Sequence, residues 1–120
     1  MYFAAKKYNK VLSVGHNRRF SSVFDFINKL NLQKKIGKIL HIDANFSASG
    51  ALKYKKKIWR ANRKESPGGA IAGLGIHMID LICFFGGQVK SVQSLVKKYA
   101  VKVNMDDTTS ALFELKKNCT

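Results

Sequence analysis

The chain has 120 residues, which allows one domain with a core of its own, and a composition 46% apolar and 11% aromatic excludes a disordered basic tail. Twenty-two Lys and Arg against seven Asp and Glu give a formal charge of +15, which fits nucleic acid, an anionic membrane face or a phosphorylated ligand and does not choose among them. Cys83 and Cys119 are too few and too far apart for a disulfide framework or a metal knuckle. Reduced thiols, together with the lack of any apolar run near the roughly 20 residues that span a bilayer, point to a soluble, cytoplasmic protein with no membrane partner.

In chain order, Met1–Asn9 reads as the last turns of a helix and Val11–Gly15 as a short buried strand, one half-unit of a parallel α/β sheet. From Phe20 to Gln33, Val23, Phe24, Ile27 and Leu30 recur at helical spacing after the candidate caps Ser21 and Ser22. Lys38–Phe46 alternates, with Leu40, Ile42, Ala44 and Phe46 on one face and His41 on the other, the pattern of a half-buried strand. The stretch from Ser47 to Glu65 has no period and carries basic residues around Tyr54 and Trp59, so it reads as a long loop. Such a loop suits a single-stranded nucleic acid, an anionic dinucleotide or simply water.

The most informative stretch follows. Ser66 reads as an N-cap and Pro67 as the first residue of a helix running to about Phe85, stopped by Gly86-Gly87. On that helix Gly73, His77 and Asp80 are four and three residues apart and fall on one stripe. Gly73 clears space one turn before His77, and Asp80, one turn after, can accept from an imidazole nitrogen and fix its tautomer. A lone histidine in an apolar helix is also commonly a hydrogen-bonded core residue, and spacing alone does not separate the two. Lys90–Val103 and Thr108–Lys116 read as two further strands around the turn Asn104–Asp107, in an antiparallel or mixed sheet. His77 and Asp80 find no third ligand at a metal-binding spacing, so no metal is expected.

The pattern Gly-Gly-x-x-x-x-x-Gly-x-His-x-x-Asp over residues 68–80, after the pair Trp59-Arg60, resembles the substrate-facing helix of the Gfo/Idh/MocA oxidoreductases, the family of glucose-fructose oxidoreductase and inositol dehydrogenase. Val14-Gly15-His16-Asn17-Arg18-Arg19-Phe20 and Ile36-Gly37-Lys38-Ile39 resemble the same family in the same order. The resemblance implies an α/β (α+β) fragment. Residues 1–15 would be the last helix-strand unit of a Rossmann nucleotide-binding domain. Residues 16–120 would be an incomplete substrate and oligomerisation domain, part of an open, mainly antiparallel sheet with helices on one face.

The same resemblance implies a complete protein that is an NAD(P)-dependent dehydrogenase of a sugar or polyol. His77 would be its catalytic residue, with Asp80 and Gly73 beside it, Arg18 and Asn17 substrate-binding, and Trp59 and Arg60 near the cofactor. The family usually has an aspartate where this chain has Gly73. No Gly-x-Gly-x-x-Gly follows a first strand and no Glu-Lys-Pro is present, so the chain alone is expected to bind no NAD or NADP and to be inactive. Its implied partners are the sugar or polyol, further copies of itself through the sheet, and a separately encoded N-terminal half. The competing readings are a small basic nucleic-acid-binding module and the remnant of a split gene with no activity.

Overall fold

The computed structural model describes residues 1–116 and 119–120. Helix α1 covers Tyr2–Lys7 and helix α2 Ser22–Leu32, with a 3₁₀ turn at Asn17–Phe20 between them. Ser21 sits at the N-cap of α2 in extended conformation, but its side chain makes no capping bond. The apolar stripe of α2 is half-buried at Phe24, Ile27 and Leu30, whereas Val23 faces solvent.

The expected strand Val11–Gly15 does not form. No backbone bond joins it to another segment among the described residues, and Val11 and Val14 are 96% and 80% exposed. The segment is apolar enough for a buried strand, but a parallel strand exists only when neighbours take its N–H and C=O groups. The alternating segment 38–46 also lacks a full ladder. Among the described residues it makes only two backbone bonds, both to Thr120, although Ile42 and Phe46 are half-buried on the expected face.

The principal helix begins later than its sequence suggests. Residues 66–69 form turns, not a capped first turn, because Gly68 and Gly69 have φ of +84° and +51°, incompatible with a right-handed helix. A Cβ at Gly69 would also collide with the Asp106 carbonyl oxygen, and the next residue, Ala70, donates its N–H to that same oxygen at 3.0 Å. The helical path then opens with a π turn, Ile71–Gly75, and continues as α3, Ile76–Gly86. Gly87, at φ +92°, ends it as expected.

Strand β1, Val89–Lys97, pairs antiparallel with β2, Thr108–Leu115, with Val92 opposite Phe113 and Val96 opposite Thr109. Both strands were expected, but β1 ends at Lys97 and leaves a longer loop. Asp107 holds that loop: its carboxylate accepts from the N–H groups of Tyr99, Ala100 and Val101 at 2.7 to 3.2 Å and from the Thr108 hydroxyl at 3.0 Å. Val101, Val103 and Met105 can then turn inward onto Ala61 and form the main buried cluster. A second buried contact lies where Gly86 lets Leu115, Ile42 and Cys119 approach the end of α3. The helix-plus-antiparallel-hairpin architecture is therefore mixed α/β. The radius of gyration is 17.1 Å, against about 14 Å for a compact domain of this length. Much apolar surface stays open.

Candidate functional site

The site is organised by a charge in an apolar helix. Asp80 lies on α3 with only 7% of its side chain exposed, so its carboxylate needs a partner. Arg19, from the 3₁₀ turn, supplies it. Its Nε donates to Oδ2 at 2.7 Å and its Nη2 donates to Oδ1, the planar fork matching both carboxylate oxygens. These hydrogen bonds, more than the charges alone, hold the Asp80 carboxyl below the usual carboxylate range and raise the Arg19 guanidinium. The same guanidinium lies 4.9 Å from the centre of the Phe84 ring. Cys83, next along the helix and a free thiol, is pushed up by burial and then by the Asp80 charge, which makes it a poor nucleophile.

Two histidines flank this pair. His16 Nδ1 stands 3.8 Å from Asp80 Oδ1, too far for a hydrogen bond. His77 is half-buried, and its Nδ1 and that of His16 are both buried without a partner among the described residues. The expectation that Asp80 fixes the His77 tautomer is thus corrected: Arg19 takes both Asp80 oxygens, and one imidazole nitrogen of His77 is left with its hydrogen-bonding capacity unused.

The π turn divides the rest of the predicted set. Gly73 lies within that turn and His77 in the first turn of α3. Gly73 lines a groove of about 1130 Å³ together with Trp59 and Arg60, whereas His77, Asp80, Arg18 and Asn17 are not among the residues lining it. A Cβ at Gly73 would meet nothing within 4 Å, so packing does not require glycine there. Arg60 stacks on its neighbour Trp59, 4.5 Å from the ring, and Arg18 lies 4.6 Å from the centre of the Phe46 ring. Asn17 opens the 3₁₀ turn and is exposed. Among the described residues no three His, Cys, Asp or Glu side chains gather as a metal site.

Sequence reasoning missed Arg19 and His16 as members of the cluster. The signal was the carboxylate itself, since an aspartate on an apolar helix calls for a cation, and of two adjacent arginines only one can face it.

The sequence model of the GFO/IDH/MocA C-terminal domain matches residues 24–120. The chain belongs to the GFO/IDH/MocA family. Over 74 residues it is 36% identical to glucose-6-phosphate 3-dehydrogenase of Bacillus subtilis, a stretch that is 60% of this chain and 21% of that protein. Over 111 residues, 92% of this chain and 30% of the other, it is 27% identical to the uncharacterized oxidoreductase YhhX of Escherichia coli. A crystal structure from Desulfitobacterium hafniense, assigned to the NADPH-dependent oxidoreductases, superposes with a TM-score of 0.85 at 27% identity, covering 98% of this chain and 34% of that one. An NAD-binding oxidoreductase from Klebsiella pneumoniae, 18% identical over 98% of this chain and 34% of its own, shares the fold with a TM-score of 0.74. The chain therefore spans under a third of its curated relatives and about a third of these solved structures. No helix among the described residues is long and apolar enough to cross a membrane.

Proposed function

We propose that this chain is the substrate-side part of an NAD(P)-dependent oxidoreductase acting on a sugar or polyol in the cytoplasm. Residues 1–15 would belong to the nucleotide-binding domain and 16–120 to the substrate and oligomerisation domain. The observation that carries the reading is His77: a family-matching histidine on α3 whose buried Nδ1 has no partner among the described residues, beside a carboxylate already neutralised by Arg19. An imidazole so placed can exchange a proton with a substrate hydroxyl. Arg18 and Asn17, on the adjoining turn, are the proposed substrate-holding groups, and Trp59 and Arg60 the groups nearest the cofactor. That a relative acts on glucose 6-phosphate favours a phosphorylated sugar, to which the strongly basic surface is electrostatically matched.

The residues present do not fit a dinucleotide by themselves. A pyrophosphate cradle needs a paired strand running into a glycine turn and a helix N-terminus, and the segment before Gly15 is exposed and unpaired. Cofactor binding would come from sequence outside these 120 residues, joined in the same chain or supplied by a separately encoded N-terminal half. Further copies of the protein would associate through the sheet.

Calorimetry and co-expression test this. The 120-residue chain titrated with NADH or NADPH should show no saturable heat. Co-expression with the N-terminal region of the Bacillus subtilis relative should give dinucleotide binding and sugar-dependent reduction. Saturable binding to the chain alone, or a complemented complex that binds cofactor yet oxidises no sugar, sugar phosphate or polyol, would contradict the reading.

A further inference from the structure

Three lysines share a cavity away from His77, and no carboxylate among the described residues pairs with them. The cavity, about 390 Å³, lies between two loops: Lys56 and Asn62 come from the first, Lys98, Lys102 and Asn104 from the second. Ala61 and Val103, members of the main buried cluster, form its apolar wall. None of His77, Asp80, Arg18, Asn17, Trp59 and Arg60 lines it.

Packing fixes both loops. On the first, Tyr54 and Ile58 pack against the buried cluster on either side of Lys56, and the 3₁₀ turn Trp59–Ala61 follows. On the second, the Asp107 carboxylate gathers the N–H groups of Tyr99, Ala100 and Val101, immediately after Lys98. Lys102 stands between Val101 and Val103, which are buried, and is itself exposed. A parallel bridge between Asn62 and Asn104 joins the two loops. The lysines are thus brought to one cavity by contacts that do not involve their ammonium groups.

Like charges gathered in this way repel, and a carboxylate among them would offset the cost. The chain has seven acidic side chains, and each is engaged elsewhere. Asp25, Asp80, Asp106 and Glu114 pair with Lys29, Arg19, Arg63 and Lys90. Asp107 is taken up by backbone N–H groups, and Glu65 accepts from the Asn62 side-chain amide. Glu65 and Asp43 line the groove that Trp59 and Arg60 line, not this cavity.

We propose that the cavity binds a small, multiply charged anion of the phosphate type, which bridges the two loops. The lining selects that class. Ammonium groups are point charges that suit phosphoryl oxygens, and the Asn104 side-chain amide can donate to another oxygen. No aromatic side chain lines the cavity to carry a base, and no carboxylate lines it to hold a cation. Its volume falls at the lower end of the range of about 300–1,000 Å³ for small-molecule sites. The inference stands apart from the proposed oxidoreductase chemistry.

The test titrates the 120-residue chain with pyrophosphate and with inorganic phosphate in a calorimeter at fixed ionic strength. Pyrophosphate should bind saturably at one site, and more tightly than inorganic phosphate, because its charge reaches both loops. Lys98→Gln with Lys102→Gln should weaken it about tenfold or more, the loss expected when charge-assisted hydrogen bonds are removed. Lys10→Gln with Lys35→Gln removes the same charge from exposed positions outside the cavity and should change the affinity less than about twofold. Pyrophosphate should also raise the melting temperature of the parent and of the Lys10, Lys35 variant, but not of the Lys98, Lys102 variant. Equal weakening by the two double variants would reduce the effect to bulk charge, and that result or the lack of saturable binding would overturn the proposal. So would a labelled single-stranded oligonucleotide that binds through Lys98 and Lys102 and is not displaced by pyrophosphate, which would make nucleic acid the occupant.

Discussion

Arg19 and Asp80 are joined by two hydrogen bonds across sixty-one residues of sequence, and that pair ties the turn at residues 17–20 to α3. Asp80 is the buried partner, so the cost of losing the pair is largely the cost of a carboxylate left without its cation. Asp80→Asn should lower stability by roughly 1.5–3 kcal/mol, the range for a hydrogen bond to a charged group. The double change Arg19→Met with Asp80→Leu should recover part of that loss, because neither charge then remains to be desolvated. Urea unfolding of the four proteins measures both. An Asp80→Asn protein as stable as the parent would mean the pair is a screened surface contact.

Asp107 makes the chain sensitive to acid. Its carboxyl is held below the usual range mainly by the Val101 N–H, with further N–H groups from Tyr99 and Ala100 and the Thr108 hydroxyl acting the same way. A group depressed in the folded state stabilises fully above its unfolded pKa, about 3.9, and loses that contribution as pH falls below it. Asp80 adds to the loss with the same sign. Stability should therefore be level from about pH 5 to neutrality and decline below about pH 4. Asp107→Asn should cost about 1–2 kcal/mol at pH 7, discounted for the loop's access to water, and flatten the acid limb. A variant whose acid limb matches the parent's would remove Asp107 as its source.

The sequence was legible where the determinant is local and illegible where it is supplied by another segment. The apolar period of α2, the glycine stop at Gly87 and the two β-rich runs are properties of neighbouring residues, and each element formed. Val11–Gly15 carries the same kind of signal yet stays unpaired, because a strand needs edges that this stretch cannot provide for itself. Ser66-Pro67 is a sound helix start by local rules, and it failed because Gly69 is drawn into contact with the Asp106 backbone thirty-seven residues away. At the site the same division holds: the aspartate on an apolar helix is visible in the sequence, but which arginine reaches Asp80 depends on how the turn at 17–20 lies against α3.

The basic loop offers little to single-stranded nucleic acid. Stacking needs an open ring face, and Arg60 lies over one face of Trp59, so a base would have to use the other or displace the guanidinium. Binding of short single strands by the chain should be weaker than micromolar at physiological salt and should weaken further as salt rises. Trp59→Ala should change the affinity less than about threefold, where loss of a stacked base would cost about 1–3 kcal/mol. Fluorescence anisotropy with a labelled oligonucleotide reads both quantities, and a tenfold loss on Trp59→Ala would revive the nucleic-acid reading.

His77, Arg18 and Gly73 give the sharpest test of the proposed chemistry in a complete or complemented enzyme. Loss of a general acid–base group costs a factor of about 10² to 10⁴, so His77→Ala should depress kcat strongly, while Arg18→Ala should mainly raise KM by removing a substrate hydrogen bond. Gly73→Asp puts back the carboxylate that the resembled family usually has four residues before the histidine. The structure sets the terms of that experiment. A Cβ at Gly73 meets nothing within 4 Å, so the aspartate should fold as stably as the parent, and any change in activity then reports chemistry, not packing. Gly73 opens into the groove that Trp59 and Arg60 line, and His77 is not among the residues lining it. An added carboxylate there should act on what the groove holds more than on the imidazole. The expected result is a raised KM for a phosphorylated sugar, with kcat and its pH profile little changed. A shift of the kcat profile on Gly73→Asp would instead place position 73 in contact with His77, and a kcat indifferent to His77→Ala would leave that histidine as a packed residue of α3.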